Sequence, residues 1–326
     1  MTPPQPQFLG LLPSGIESAE ALILPLPLER TVSYGSGTRG GPQAILAASR
    51  QLECFDEETG VDFARGPKLH TLPPLTPDEA ADGDCPDFRP GDCPDFRPTK
   101  MGLSPSMGLS PSAEPLPDFL AAVSRAVKPL RDKFLLTLGG EHLLTYGVVG
   151  GMVDDPAELT IVQIDAHADL IDELDGRRWS HGTVMRRLWE QGCRLVQIGI
   201  RSLSRSEYEL IGGGERIASY YAHQLPERWG AMLDMLRGLT GKVYLSLDVD
   251  GLDPAVIPST GTPQPGGLTW QQTMAILQAL SAARQCRWIG ADVVELVPAP
   301  HPPGCDPTAA RLAMKILAWW AAGRRE

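Results

Sequence analysis

The chain predicts an α/β fold in three layers, with helices on both faces of a central, mainly parallel sheet. Three observations predict it. Strand-length apolar runs alternate with helix-length stretches along the 326 residues. The runs are near-continuous in aliphatic residues, as strands covered on both faces are. Several of them end abruptly in charged residues, where open parallel sheets place their ligands.

The predicted strands cover 21–24, 134–138, 160–164, 195–200, 243–247 and 288–296. The predicted helices cover 181–191, 227–239, 269–284 and 308–321. Thr269 is read as the cap of the third helix, and Asp306-Pro307 as the start signal ahead of the last. No linker composition follows residue 120, so residues 1–326 are expected to form a single domain.

The segment 72–118 differs from the rest. It contains GDCPDFRP twice (83–90 and 91–98), then MGLSPS twice (101–106 and 107–112). Such units are too short for solenoid repeats, and their Pro and Gly oppose helix and central strand. They are expected to be duplications in a disordered surface loop without catalytic role. Loop composition explains Asp84, Cys85, Asp92 and Cys93 better than a metal site does.

A formal charge of −11 argues against nucleic acid as the main partner and suits a site that attracts cations. No run is long enough to span a membrane, and the N-terminal MTPPQPQFLG has no leader-like core. The six cysteines show no CxxC spacing. They read as reduced thiols in a cytoplasmic protein.

The chemistry concentrates at three strand ends. LTIVQI runs into DAHAD, with Asp165, His167 and Asp169 at alternate positions. In an extended segment such side chains share one side. Carboxylates packed together there need a metal ion, a basic side chain or a shared proton between them. FLLTL ends in Gly139, Gly140, Glu141 and His142, and KVYLSL ends in Asp248, Asp250 and Asp253. His142, Asp165, His167, Asp169, Asp248 and Asp250 form a thiolate-free N/O donor set. It suits Mn²⁺, with Ni²⁺, Co²⁺, Fe²⁺ or Zn²⁺ as alternatives. Taken singly, His142 reads more readily as a satisfied core histidine, and Asp248 and Asp250 read also as helix caps.

Together the motifs GGEH, DAHAD and SLDVDGLDP resemble those of the ureohydrolases, the family of arginase and agmatinase. The likeness extends from 35–42 to the C-terminal helix, skips the duplicated segment and includes STGTPQPGGLT at 259–269. It implies the fold that arginases share with deacetylases. It implies two Mn²⁺ per chain, one held by His142, Asp165, Asp169 and Asp248, the other by Asp165, His167, Asp248 and Asp250. It also implies that His181, in WSHGT, is a mobile catalytic histidine and that Glu295, in DVVEL, holds the substrate guanidinium. Asp169 would pass a proton from the attacking water to the leaving nitrogen.

The implied activity is hydrolysis of a guanidino compound to urea and an amine. Asp172, Glu173 and Asp175 follow the second motif, where arginases carry carboxylate-binding Asn, Thr and Ser; WSHGTVMRR and IGIRS also match agmatinase-like members. This favours agmatine, yielding putrescine in polyamine biosynthesis. Arg177 and Arg178 weaken the inference. Arginine, guanidinobutyrate and guanidine are the alternatives, and a non-catalytic metal-binding homologue or a one-zinc deacetylase are the rivals. One departure is Leu143-Leu144 after His142, where members carry Ser, which removes a hydroxyl from the metal's surroundings. The resemblance further implies a homo-oligomer, a trimer or hexamer, acting on a small molecule with no membrane partner.

Overall fold

The computed structural model describes residues 6–76, 115–298 and 305–324. The duplicated units, with Cys85 and Cys93, lie outside them. Ten strands are present among the described residues: β1 (Ala21–Leu26), β2 (Phe55–Asp56), β3 (Val61–Asp62), β4 (Leu69–Thr71), β5 (Phe134–Gly139), β6 (Leu159–Ile164), β7 (Arg194–Ile200), β8 (Ile217–Tyr221), β9 (Gly241–Asp248) and β10 (Cys286–Val294). The helices are α1 (Gly41–Ser49), α2 (Pro115–Val127), α3 (Leu144–Met152), α4 (Val184–Glu190), α5 (Arg205–Gly213), α6 (Leu225–Arg237), α7 (Trp270–Ser281) and α8 (Cys305–Gly323).

Eight strands form one sheet in the order β4-β1-β5-β10-β9-β6-β7-β8. Every pairing in it is parallel, so the expected mainly parallel sheet is wholly so among the described residues. β2 and β3 make a separate antiparallel pair.

Side-chain alternation builds the three layers. Along β5, Phe134, Leu136 and Leu138 enter one core with α1, α6, α7 and α8, whereas Leu135 enters the other. That second core takes its buried α-helical residues from α2, α3 and α4, with Leu210 and Ile211 of α5 packed against it. Val162 and Ile164 of β6 likewise face the first core, and Leu159 and Ile161 the second.

All six predicted strands and all four predicted helices are found, with shifted ends. β10 stops at Val294, because Glu295 takes a left-handed φ of 65° and turns the chain away. The predicted 181–191 helix begins with a 3-10 turn, His181–Thr183. Asp306 lies inside the first turn of α8 rather than ahead of it. Thr269 does cap α7, in a reciprocal pairing with Gln272.

Eight elements escaped the sequence reading: β2, β3, β4, β8, α1, α2, α3 and α5. α3 shows why. Its sequence LTYGVVGGM carries three glycines, which oppose helix locally. Tertiary contact outweighs that propensity. A Cβ on Gly151 would lie 2.6 Å from the Ser124 carbonyl oxygen, so glycine lets α2 and α3 pack backbone to backbone.

Candidate metal centre and active site

Four loops meet at the C-terminal ends of four adjacent strands. In sheet order they follow β5, β10, β9 and β6. They carry, respectively, His142; Glu295; Asp248 and Asp250; and Asp165, His167 and Asp169. Two strands distant in sequence lie between β5 and β6, so the six donor residues come together only through the crossovers.

Asp165 is at the centre. His142 Nδ1 lies 2.9 Å from Asp169 Oδ2, 3.2 Å from Asp165 Oδ2 and 3.6 Å from Asp248 Oδ2. His167 Nδ1 lies 3.0 Å from Asp250 Oδ2 and 3.7 Å from Asp165 Oδ1. Two donor groups result, His142/Asp165/Asp169 and Asp165/His167/Asp250, and they share the Asp165 carboxylate. Asp248 belongs to neither compact group but borders the first. Backbone amides orient the carboxylates: His167 N donates to Asp165 Oδ1 at 2.6 Å, Ala166 N to Asp250 Oδ1 at 3.1 Å, and Asp250 N to Asp248 Oδ1 at 2.9 Å.

Asp165, His167 and Asp169 converge, but not by strand alternation. β6 ends at Ile164; His167 keeps a bridge to Ser202, and Asp169 adopts a left-handed φ of 54°. Holding a non-glycine residue there costs about 1–3 kcal/mol. The turn sets the Asp169 carboxylate against His142.

A buried proton chain tests whether these residues suit a metal. His142 Nε2 lies 2.8 Å from Ser246 Oγ, and Ser246 Oγ donates to Asp292 Oδ1 at 2.9 Å. With its only proton committed to Asp292, Ser246 accepts from His142 Nε2–H. Nδ1 is then the nitrogen turned, fully buried, to three carboxylates. That is the tautomer and orientation of a ligating histidine. Burial opposes a charge there, but Asp165 and Asp169 raise the proton affinity of Nδ1 well above the ordinary histidine range, so a cation would take the place of that proton. Burial, then the charge of Asp165, pushes Asp169 up to about 7. Burial and like charge also raise Asp248 and Asp250. A divalent cation among them would relieve that repulsion, so the donor set fits.

Glu295 Oε1 accepts from the backbone N–H of His142 at 2.6 Å, so its carboxyl group lies beside the donor cluster. His181 stands at the head of α4. Its Nδ1 is 3.3 Å from Thr31 Oγ1 and its Nε2 is 3.2 Å from Ser33 Oγ.

Sequence reasoning gave no role to Asp292, Glu141, Thr31 or Ser33. The first two sit inside quoted motifs, which was the available signal. Asp292 is fully buried and also accepts from Thr145 Oγ1 and Tyr244 Oη, each at 2.9 Å. A hydroxyl near the metal site is therefore retained despite Leu143 and Leu144, which pack into the core. Within the acidic stretch, Asp172 alone is a correction. Asp172 pairs with the buried Arg187 at 2.5 Å, so it is not a free charge awaiting a substrate. Arg178 is engaged by Glu190 at 3.0 Å, and Arg177 donates to the Arg30 carbonyl at 3.3 Å.

Comparison with known proteins decides the family. The model of the arginase family matches residues 19–319. The chain belongs to the arginase family. The three motifs thus identified a ureohydrolase, and the rivals from other classes fall away. The chain is 33% identical over 310 residues to the N(1)-aminopropylagmatine ureohydrolase of Synechocystis sp., covering 94% of this chain and 91% of that one. It is 28% identical over 282 residues to the agmatinase of Pyrococcus horikoshii, covering 86% and 85%. The fold of this arginase-family member superposes on the agmatine ureohydrolase of Thermoplasma volcanium with a TM-score of 0.77 at 22% identity, over 98% of this chain and 96% of that one. Among the described residues no helix is long and apolar enough to cross a membrane.

Proposed function

We propose that this ureohydrolase releases urea from a guanidino compound with a cationic tail and no carboxylate, agmatine or its N(1)-aminopropyl derivative, leaving the corresponding polyamine. The two donor groups joined at Asp165 carry the reading of the chemistry. The names of the relatives support the tail. So does the pairing of Arg178 with Glu190 and of the buried Arg187 with Asp172, which commits two of the three nearby guanidinium groups to carboxylates of the chain itself.

In this reading His142, Asp165, Asp169 and Asp248 hold one divalent ion, and Asp165, His167, Asp248 and Asp250 hold the second. Mn²⁺ is the proposed metal. The ions supply Lewis acidity and make water a competent nucleophile near neutral pH. Glu295 receives the planar guanidinium through paired, charge-assisted hydrogen bonds, its carboxyl steadied by the His142 amide. Asp169 moves a proton from the attacking water to the leaving nitrogen, and His181, held neutral at rest by burial, takes up a proton only in passing as it exchanges with solvent. The protein is further proposed to act in the cytoplasm as a single-domain homo-oligomer.

A urea-release screen tests the proposal, with agmatine, N(1)-aminopropylagmatine, arginine, guanidinobutyrate and guanidine as substrates and Mn²⁺ or Ni²⁺ supplied. The two cationic-tailed compounds should give the highest kcat/KM. A preference for arginine or guanidinobutyrate would overturn the substrate assignment, and urea from none of the five would overturn the activity.

A further inference from the structure

Glu141 precedes a proposed metal ligand, yet its side chain turns away to another segment. It is fully buried. Its Oε2 accepts from the backbone N–H groups of Arg30 and Thr31, both at 2.7 Å, and its Oε1 accepts from Thr31 Oγ1 at 3.1 Å. The backbone repeats the attachment: Gly140 N donates to Leu26 O at 2.9 Å and Glu141 N to Leu28 O at 2.8 Å. Gly140 permits this approach, because a Cβ there would lie 1.9 Å from the Leu28 carbonyl oxygen. The GGEH turn therefore clasps the chain that carries Thr31 and Ser33 to His181.

Three hydroxyls surround the His181 ring. Thr31 Oγ1 and Ser180 Oγ are each 3.3 Å from Nδ1, and Ser33 Oγ is 3.2 Å from Nε2. The hydroxyls of Ser33 and Ser180 can turn to donate or to accept. That of Thr31 cannot, since its single proton goes to the Glu141 carboxylate. Its two lone pairs remain, one taken by the His181 backbone N–H at 3.1 Å and one facing Nδ1. A bare Nδ1 would set lone pair against lone pair. A protonated Nδ1 donates to Thr31 and leaves Nε2 as the proton acceptor.

We infer that Glu141 is a positioning residue that, through Thr31, fixes His181 as the Nδ1–H tautomer with Nε2 open to receive a proton. The inference rests on the reading of His181 as the proton-exchanging group. It resembles in logic a carboxylate that holds a catalytic imidazole in one tautomer, with a threonine hydroxyl interposed. Glu141→Gln is nearly isosteric but brings an NH₂ group to Thr31 Oγ1. That amide donates, the Thr31 proton turns to His181 Nδ1, and the tautomer reverses.

Two measurements test this. The first is ¹⁵N NMR of histidine-labelled protein loaded with diamagnetic Zn²⁺, with His181 assigned by its loss in His181→Asn. The wild type should show a pyrrole-type Nδ1 and a pyridine-type Nε2, and Glu141→Gln the reverse. A protonated Nε2 in the wild type, or the same tautomer in both proteins, overturns the inference. The second is a double-mutant cycle on urea release at matched metal content. Glu141→Gln should lower kcat by at least about tenfold with KM little changed, but by less than about twofold in a His181→Asn background. Thr31→Val should show the same dependence, which guards against a poorly folded Glu141 variant. Equal losses in both backgrounds would mean that Glu141 acts through His142 or the fold instead. If His181→Asn alone keeps full activity, the catalytic role of His181 fails, and the NMR result still decides the tautomer.

Discussion

Asp165 belongs to both donor groups, so its loss should be felt at both. Asp165→Asn keeps the shape but removes a charge that each of the two proposed ions would need. Mn²⁺ retained after gel filtration should drop from two ions per chain to fewer than one, with at least about a hundredfold loss of activity. Two ions retained by the variant would show that Asp165 is no bridge. His181 makes a prediction about pH. Burial pushes its folded-state pKa down to about 4, while an unfolded histidine titrates near 6.5. Between these values the unfolded chain binds a proton that the folded one refuses. Stability therefore falls as pH drops from about 6.5 to about 4, and this contribution levels off below. Urea unfolding of wild type and His181→Asn should give curves that diverge through that window, the wild type losing more. Parallel curves would show that His181 is not held neutral by the fold.

At the scale of elements, close backbone contact between α2 and α3 depends on a missing side chain. Gly151→Ala would place a methyl 2.6 Å from the Ser124 carbonyl oxygen and 2.7 Å from Val127 Cβ. Such overpacking costs about 1–3 kcal/mol, to be read as a lower urea midpoint with turnover per folded molecule unchanged. The tie between Asp172 and α4 makes a different prediction from the one its acidity suggested. Asp172→Asn weakens the pairing with buried Arg187. It should lower stability by about 1 kcal/mol or less, since the Asp172 side chain is 60% exposed. The ratio of kcat/KM for agmatine over arginine should move by less than about twofold. A larger change would return Asp172 to the substrate's path. Strands with continuous aliphatic runs were legible because burial on both faces selects their composition. α3 was not, because its glycines answer to α2, which no local pattern reveals. β4 and β8 are edge strands of three and five residues, too short to carry a clear period.

At the scale of the molecule, every residue assigned to the site lies between Thr31 and Glu295 and outside the duplicated segment. Deleting 91–98, one copy of the first unit, should leave kcat and KM within about twofold, and a collapse of turnover in a folded deletion variant would place that segment at the site. What the sequence determined by itself was the chemistry available at each strand end. The motifs GGEH, DAHAD and SLDVDGLDP named six donor residues, because ligand type and local spacing are written along one strand and its loop. The tertiary structure alone decided how those ends combine. It set β10 and β9 between β5 and β6, turned Asp169 and Glu295 through left-handed backbone, and gave Asp172 to Arg187. It also brought Glu141 to Thr31 and Thr31 to His181, across 110 and 150 residues of chain. Local sequence carries no record of such pairings, because a hydrogen bond's donor and acceptor need only meet in space. Where they meet is set by the packing of the whole sheet.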